Sequence, residues 1–123
     1  MAKKILIVED SDTMRSLIAS TIEEMKGFEL FEAGNGFEAL KALPSQHFDM
    51  IITDLNMPDI NGLEIIKFVK EHPTYKSIPL VIVTTRVGEE DRKKGLALGA
   101  SGYMIKPFEP DDLKKVVRKI LKQ

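Results

Sequence analysis

The 123-residue sequence contains no cysteine and only two histidines, His47 and His72. Without cysteine the chain can form no disulfide, thiolate nucleophile or zinc–thiolate site, and two isolated histidines argue against a histidine metal centre. No apolar run approaches the roughly 20 residues that a membrane-spanning helix needs, and no segment resembles a signal peptide. These absences predict a cytoplasmic protein that does not insert into a membrane.

A strong excess of charge of either sign is also missing, since the formal net charge is -1. A nearly neutral chain has no general attraction to nucleic acid or to an anionic membrane. Apolar residues make up 43% of the sequence and charged residues 30%, which favours a globular domain with a real core. The length predicts one domain over residues 1–123, with no separate output domain.

Short apolar segments alternate with helical patterns along the chain. The predicted strands are residues 4–8, 28–33, 49–53, 79–84 and 102–105. Each is followed by apolar residues at helical spacing, so the pattern predicts an α/β fold with a parallel sheet and helices on both faces. The segment 79–84 is the most apolar and is predicted to be the central strand. The second helix is predicted to carry Phe37, Leu40 and Leu43 as its apolar residues.

Ligands of such sheets bind beyond the carboxyl ends of the strands. Five polar side chains occur at these predicted ends: Glu9, Asp10, Asp54, Thr84 and Lys106. Taken singly, each acid is also compatible with an ordinary solvated loop. Three carboxylates together repel unless a cation offsets them, and oxygen ligands favour a hard cation such as Mg²⁺. With a lysine and a hydroxyl beside them, the group predicts phosphoryl transfer to a carboxylate nucleophile.

Four segments carry a resemblance to a known family: "ILIVEDSDTMR", "DMIITDLNMPDINGLE", "PLVIVTT" and "GASGYMIKPF", in this order. The chain resembles the receiver domains of two-component response regulators over essentially its whole length, and among them stand-alone chemotaxis regulators of the CheY type. The resemblance implies a flavodoxin-like, doubly wound (βα)5 sheet in the order 2-1-3-4-5. It also implies a phosphoacceptor signalling protein, not an enzyme in the usual sense.

The partners that the resemblance implies are a sensor histidine kinase, as phosphodonor, and a downstream target protein. The target would dock on the fourth helix, the fifth strand and the fifth helix of a monomer.

The same resemblance assigns the acidic residues. Asp54 would be the phosphoacceptor, and Asp10 and Asp54 would bind Mg²⁺ directly. The backbone carbonyl of Asn56 would complete the protein's share of the metal ligands, with Glu9 acting through water.

The resemblance further implies that Thr84 and Lys106 contact the phosphoryl group. Tyr103 matches the family's switch aromatic, which turns inward when Thr84 moves towards the phosphate. The Lys106-Pro107 bond is expected to be cis. Gly62 fits a turn conformation that requires the absence of a side chain.

Three positions depart from the family's usual pattern. Glu9 stands in place of the commoner aspartate, and its longer side chain should still serve the metal. Thr85 replaces a smaller residue beside the path of Tyr103 and is expected to hinder its inward turn. Arg86 replaces an acid and is predicted to contact the phosphoryl group or Asn56 and to change the lifetime of the phosphate.

The same residues bear on four alternative functions. A flavodoxin needs a hydroxyl- and glycine-rich anion loop after the first strand, where "VEDSD" would repel a phosphate. A small aspartyl phosphatase would normally carry a second aspartate where Asn56 stands. A pseudo-receiver should lack the acceptor, the lysine or the acidic pair. The remaining alternative is a phosphorelay carrier or phosphate sink that passes phosphate between histidine-containing partners, since Tyr103 favours a diffusible messenger whereas Thr85 and Arg86 favour a carrier.

Overall fold

A computed structural model describes residues 2–122, in which five strands alternate with five α-helices. The elements are β1 (Lys3–Val8), α1 (Asp12–Glu23), β2 (Phe28–Ala33), α2 (Gly36–Ala42), β3 (Met50–Thr53), α3 (Gly62–Glu71), β4 (Leu80–Thr84), α4 (Glu89–Ala97), β5 (Gly102–Ile105) and α5 (Pro110–Leu121). A short 3-10 turn at Leu43–Ser45 follows α2. Within the described range, no helix combines the length and apolar character needed to cross a bilayer.

All strand pairs are parallel, and the order across the sheet is β2-β1-β3-β4-β5. This confirms the predicted flavodoxin-like α/β fold and its strand order. The prediction that residues 79–84 form the central strand is wrong, because β3 occupies the middle and β4 lies next to the edge strand β5. Every residue of β3 and of β4 is nevertheless buried. The apolar content of a strand therefore indicates that both of its faces are covered by helices, and it does not indicate the position of the strand in the sheet.

Each face of the sheet carries its own hydrophobic layer. Along β1, Ile5 and Ile7 pack into one layer and Leu6 and Val8 into the other, as the two-residue period of a strand requires. The first layer also contains residues of α1 and α5, whereas the second contains residues of α2 and α3. With both faces covered, the carboxyl edge of the sheet is the part left open for chemistry.

Two of the three apolar residues predicted for the second helix pack into the core, and the third, Phe37, does not. Phe37 is 61% exposed, while Ala39 and Leu43 are buried and Leu40 is partly buried. Ala39 and Leu43 lie four residues apart on one side of the helix, and Phe37 lies off that line. The prediction that Phe37 belongs to the apolar side of this helix is therefore wrong.

Side chains of the N-cap residues Ser11, Asn35 and Asn61 accept backbone N–H groups at the starts of α1, α2 and α3. At the start of α1, Ser11 Oγ accepts the N–H of Met14 at 3.2 Å. At the start of α2, the Asp59 carboxylate accepts the N–H groups of Gly36 and Phe37 at 3.0 and 2.9 Å. Because Asp59 belongs to the loop after β3, this cap ties that loop to the neighbouring helix.

Candidate functional site

The backbone places three of the expected side chains at the carboxyl edge of the sheet. The N–H groups of Glu9, Asp54 and Lys106 donate to the last carbonyls of β2, β1 and β4, at 3.0, 3.1 and 2.8 Å. Each residue thus extends the parallel hydrogen-bonding pattern one step past its strand. Their side chains consequently start from positions that the sheet itself holds.

Lys106 joins two of the buried carboxylates. Its Nζ donates to Asp54 Oδ2 at 2.9 Å and also to Glu9 Oε1. The other oxygen of Asp54 accepts the N–H of Leu55 at 2.6 Å and that of Asn56 at 3.3 Å. Both oxygens of this buried carboxylate therefore have partners, which is the condition for keeping a charge in the interior.

Burial and pairing act in opposite directions on these groups. Burial raises the pKa of Glu9, against the lowering effects of the Lys106 hydrogen bond and of the Ser11 N–H, which donates to Glu9 Oε2 at 3.0 Å. Burial lowers the pKa of Lys106, but hydrogen bonds to Glu9 and Asp54 outweigh it and leave that pKa raised. Lys106 therefore remains protonated at neutral pH and supplies a fixed positive charge to the site.

The acidic residues form a group that suits a divalent cation. Glu9, Asp10 and Asp54 each offer one oxygen, and these oxygens lie within 4.8 Å of one another. The exposed side chain of Asp10 has no hydrogen bond or ion pair with any other residue of the range 2–122. Three carboxyl groups thus share a single neighbouring ammonium, that of Lys106. A hard cation with oxygen ligands, such as Mg²⁺, fits this donor set.

Gly62 shapes the loop that carries the acceptor. A Cβ built on Gly62 would overlap the carbonyl oxygen of Asp54 and lie 2.6 Å from the Cα of Leu55. Its N–H donates to the Leu55 carbonyl at 3.0 Å. Positive φ angles among the described glycines occur at Gly27 and Gly99, and Gly62 has none. The requirement for glycine at position 62 is therefore the close approach of two backbone segments, not the turn conformation that the sequence suggested.

A second polar group lies beside the acidic one. Arg86 Nε donates to Asn56 Oδ1 at 2.7 Å, and Asn56 Nδ2 donates to Thr85 Oγ1 at 3.4 Å. Arg86 thus makes one of the two contacts predicted for it. Its Nη1 also lies 3.5 Å from Asp91 Oδ1, on the first turn of α4. Arg86 and Asp10 both line a cleft of about 360 Å³, so a guanidinium borders the acidic group.

Tyr103 packs against the loop after β4. Its side chain is half-buried, and its hydroxyl donates to the Arg86 carbonyl at 2.8 Å. A Cβ on Gly95 of α4 would be in ordinary contact with the Tyr103 ring, at 3.8 Å from Cδ2, but would lie 2.5 Å from Ile82 Cδ1, so the glycine allows α4 to approach β4. Thr85 is exposed and bonded to Asn56. In this conformation, then, the β-branched side chain does not keep Tyr103 away from the loop.

Thr84 is the last residue of β4. It is fully buried, and its Oγ1 accepts the N–H of Arg86 at 3.4 Å. Its side chain has no hydrogen bond to those of Asp54 or Lys106 among the described residues. The Lys106-Pro107 peptide bond is cis, as the family resemblance implied.

Two residues near the site have positions that the sequence did not indicate. Arg15 donates from Nη1 to the Glu9 carbonyl at 2.9 Å, while Asp12 and Glu32 hold the same guanidinium at 2.7 and 3.1 Å. In the sequence, the only indication of these Arg15 contacts is the three-residue spacing of Asp12 and Arg15, which suits an ion pair on one side of a helix. Asp91 is an acid in the first turn of a helix, a position that ordinarily indicates only interaction with the helix dipole.

Comparison with known proteins adds an independent line of information. Residues 5–118 match the response regulator receiver domain. The chain is 37% identical over 119 residues to the chemotaxis protein CheY homolog of Campylobacter jejuni, covering 96% of this chain and 92% of that protein. It is 36% identical to the chemotaxis protein CheY1 of Helicobacter pylori, covering 96% of each. The structure of the chemotaxis response regulator CheY4 of Vibrio cholerae matches with a TM-score of 0.90 at 36% identity, covering 98% of this chain and 100% of that one.

Proposed function

The chain belongs to the response regulator receiver domain family and is of the CheY type, and from this premise we propose that Asp54 accepts a phosphoryl group in a Mg²⁺-dependent reaction. The observation that carries the proposal is the Lys106 ammonium, 2.9 Å from Asp54 Oδ2, beside the carboxylates of Glu9 and Asp10. A nucleophile, a fixed cation and a group of oxygen ligands are the parts that phosphoryl transfer requires.

In this proposal an oxygen of Asp54 attacks phosphorus, the bond from phosphorus to the donor breaks, and the donor leaves with its electron pair. Lys106 is the point charge that would hold the transferred oxygens, and the Thr84 hydroxyl would reach them by a small shift of the loop. Asp10, Asp54 and the Asn56 carbonyl would hold Mg²⁺, with Glu9 acting through water. Bound there, the ion would neutralise charge on the phosphoryl oxygens.

The proposed phosphodonor is a phosphohistidine of a sensor kinase. The proposed output is that the monomer binds a target protein in the cytoplasm.

The surface of α4, β5 and α5 is the proposed docking site. Partly exposed apolar side chains support it, with Leu96 39% exposed on α4 and Ile105 37% exposed on β5. A phosphoryl group can favour the binding-competent conformation only through its different interactions with the two conformations. The names of the relatives support a chemotaxis pathway.

A phosphorelay carrier is the second candidate. The observation that favours it is the Arg86 guanidinium in the cleft beside Asp10. A second cation at this place would hold the phosphoryl group and slow its loss to water, as a carrier requires. Transfer of the phosphoryl group from the labelled protein to an isolated histidine phosphotransfer domain would support the carrier, and binding to a flagellar switch peptide would support the messenger.

The central proposal is tested by incubation with acetyl phosphate and Mg²⁺, followed by intact mass measurement. The wild type should gain the mass of one phosphoryl group, and Asp54→Ala should gain none. Glu64→Gln is the matched control, because Glu64 is an exposed acid in the first turn of α3, and it should label like the wild type. Labelling of Asp54→Ala, or full labelling of the wild type in excess EDTA, would refute the proposal.

A further inference from the structure

Arg86 is bonded to four different parts of the protein. Its guanidinium reaches Asn56 on the loop after β3 and Asp91 on α4. Its carbonyl accepts the hydroxyl of Tyr103 on β5, and its N–H donates to Thr84 at the end of β4. A displacement of this one residue would therefore be felt by the acceptor loop, α4 and β5 together.

The two side-chain contacts of Arg86 differ in length. The hydrogen bond to Asn56 measures 2.7 Å, whereas the shortest approach to Asp91 is 3.5 Å. Both charged side chains of the ion pair are about one-third exposed, at 30% and 32%. A partly exposed ion pair at that distance is weak. A guanidinium and a phosphoryl group can form two parallel charge-assisted hydrogen bonds, which are stronger.

The effect of the Asp91 carboxylate on Tyr103 agrees with this close grouping. Burial raises the pKa of the Tyr103 hydroxyl, the charge of Asp91 raises it further, and the charge of Arg86 lowers it. The three side chains thus meet at the junction of the loop after β4, the first turn of α4, and β5.

The first turn of α4 is otherwise loosely attached. Its N-cap is Gly88, which has no side chain to accept a backbone N–H. Of the nine residues of α4, only Gly95 is buried. Glu89 pairs only within the helix, with Arg92 at 3.7 Å. Among residues 2–122, the contact of Arg86 with Asp91 is the one side-chain hydrogen bond or ion pair that joins residues 89–91 to another element.

Resting on the proposed phosphorylation of Asp54, we propose that Asp91 is a positioning residue that holds the Arg86 guanidinium at Asn56 in the unphosphorylated protein. A phosphoryl group on Asp54 replaces the single charge of the carboxylate by the charge of an acyl phosphate. It therefore adds about one negative charge, and new acceptor oxygens, near the cleft that Arg86 lines. The guanidinium moves towards the phosphoryl oxygens and leaves Asp91, so that the first turn of α4 is released. Competition of two anions for one guanidinium then transmits the chemical state of Asp54 to the helix.

Hydrogen exchange measured by mass spectrometry tests this on peptides that cover residues 86–96, with and without acetyl phosphate and Mg²⁺. In the wild type, phosphorylation should speed exchange of the amides that close the first turn of α4, such as Arg92 N–H to Gly88 O, by about two- to fivefold. Asp91→Asn should exchange faster already without phosphate and respond less to phosphorylation. Asp91→Glu should restore the wild-type response, because the carboxylate is kept.

Glu90→Gln is the matched control, since Glu90 is an exposed acid of the same turn with no ion pair among the described residues. It removes the same charge from the helix N-terminus and should behave like the wild type. The proposal is overturned if Asp91→Asn and Glu90→Gln respond alike, or if phosphorylated wild type shows no faster exchange in this turn. Intact mass on the same samples separates the two proposals: without a phosphoryl mass gain, the proposed function fails first.

Discussion

Lys106 Nζ lies 2.9 Å from Asp54 Oδ2, although the two residues are 52 positions apart in the sequence. The lysine side chain is 9% exposed and the aspartate side chain 6% exposed. Glu9, on a third strand end, shares the same ammonium. A buried carboxylate without a partner is costly. The pairing with Lys106 therefore stabilises the folded protein at the carboxyl edge of the sheet, in addition to any role in chemistry.

Lys106→Met should lower the free energy of unfolding by about 3–5 kcal/mol in the absence of divalent cations, because two buried carboxylates lose their counter-charge. Added Mg²⁺ should stabilise this variant more than the wild type, since the ion replaces part of the missing positive charge. Urea unfolding with EDTA and with Mg²⁺ measures both effects.

The control for that experiment is Lys114→Met. Lys114 pairs with Glu24 at 2.6 Å, but the Glu24 side chain is 65% exposed, so we expect a loss of about 1 kcal/mol or less and no extra effect of Mg²⁺. Equal losses in the two variants would show that the Lys106 pair contributes no more than a surface pair.

Gly62→Ala should lower the free energy of unfolding by at least about 2 kcal/mol, because the new Cβ overlaps the Asp54 carbonyl and the backbone must move. The displaced carbonyl belongs to the phosphoacceptor, so phosphorylation by acetyl phosphate should slow as well. Gly88→Ala is the control: a Cβ there would find Asp91 Oδ2 as its nearest neighbour, at 3.8 Å, and should cost less than about 1 kcal/mol. Similar losses at the two positions would contradict the steric explanation.

Arg86→Ala should shorten the lifetime of the phosphorylated protein by about two- to tenfold, because the guanidinium that would hold the phosphoryl group and slow its loss to water is removed. Loss of label after removal of the phosphodonor measures the rate. Arg92→Ala serves for comparison, since Arg92 pairs only with Glu89 of its own helix and should leave the rate unchanged. An unchanged rate in Arg86→Ala would show that Arg86 does not determine the lifetime of the phosphoryl group.

Asp59→Ala should reduce the pH dependence of stability in the acid range. Desolvation raises the pKa of Asp59, but the backbone N–H groups of Phe37, Gly36 and Ile60 lower it more, so the pKa lies below its ordinary value. A carboxyl with a lowered pKa stabilises the folded state above the unfolded pKa, and this contribution disappears as pH falls through the folded pKa. Thermal unfolding of both proteins from neutral to acidic pH measures the difference.

The corresponding control is Glu29→Ala, which removes an exposed carboxylate of β2 that has no hydrogen bond or ion pair among the described residues. Its pH dependence should match that of the wild type. If Asp59→Ala also matches the wild type, the cap at the start of α2 contributes nothing through ionisation.

Much of the fold could be predicted because it depends on local patterns. The bounds predicted for β2 and β5 are the observed ones, and β1, β3 and β4 differ by one residue at one end. The strand ends then place Glu9, Asp54 and Lys106 at one edge, since parallel strands bring their carboxyl ends together. The exposure of Phe37 and the place of β4 in the sheet could not be predicted in the same way, because each depends on which element covers which face.

By itself, the sequence determined the alternation of strands and helices, the acidic residues at the strand ends and the family to which the chain belongs. Only the tertiary structure decided that Lys106 bonds both Asp54 and Glu9, that Gly62 is required by backbone contact, and that Arg86 connects Asn56 with Asp91. The physical reason is the range of the interactions. Periodicity and turn chemistry act over a few neighbouring residues, whereas ion pairs and steric contacts join atoms that only the folded chain brings within a few ångströms.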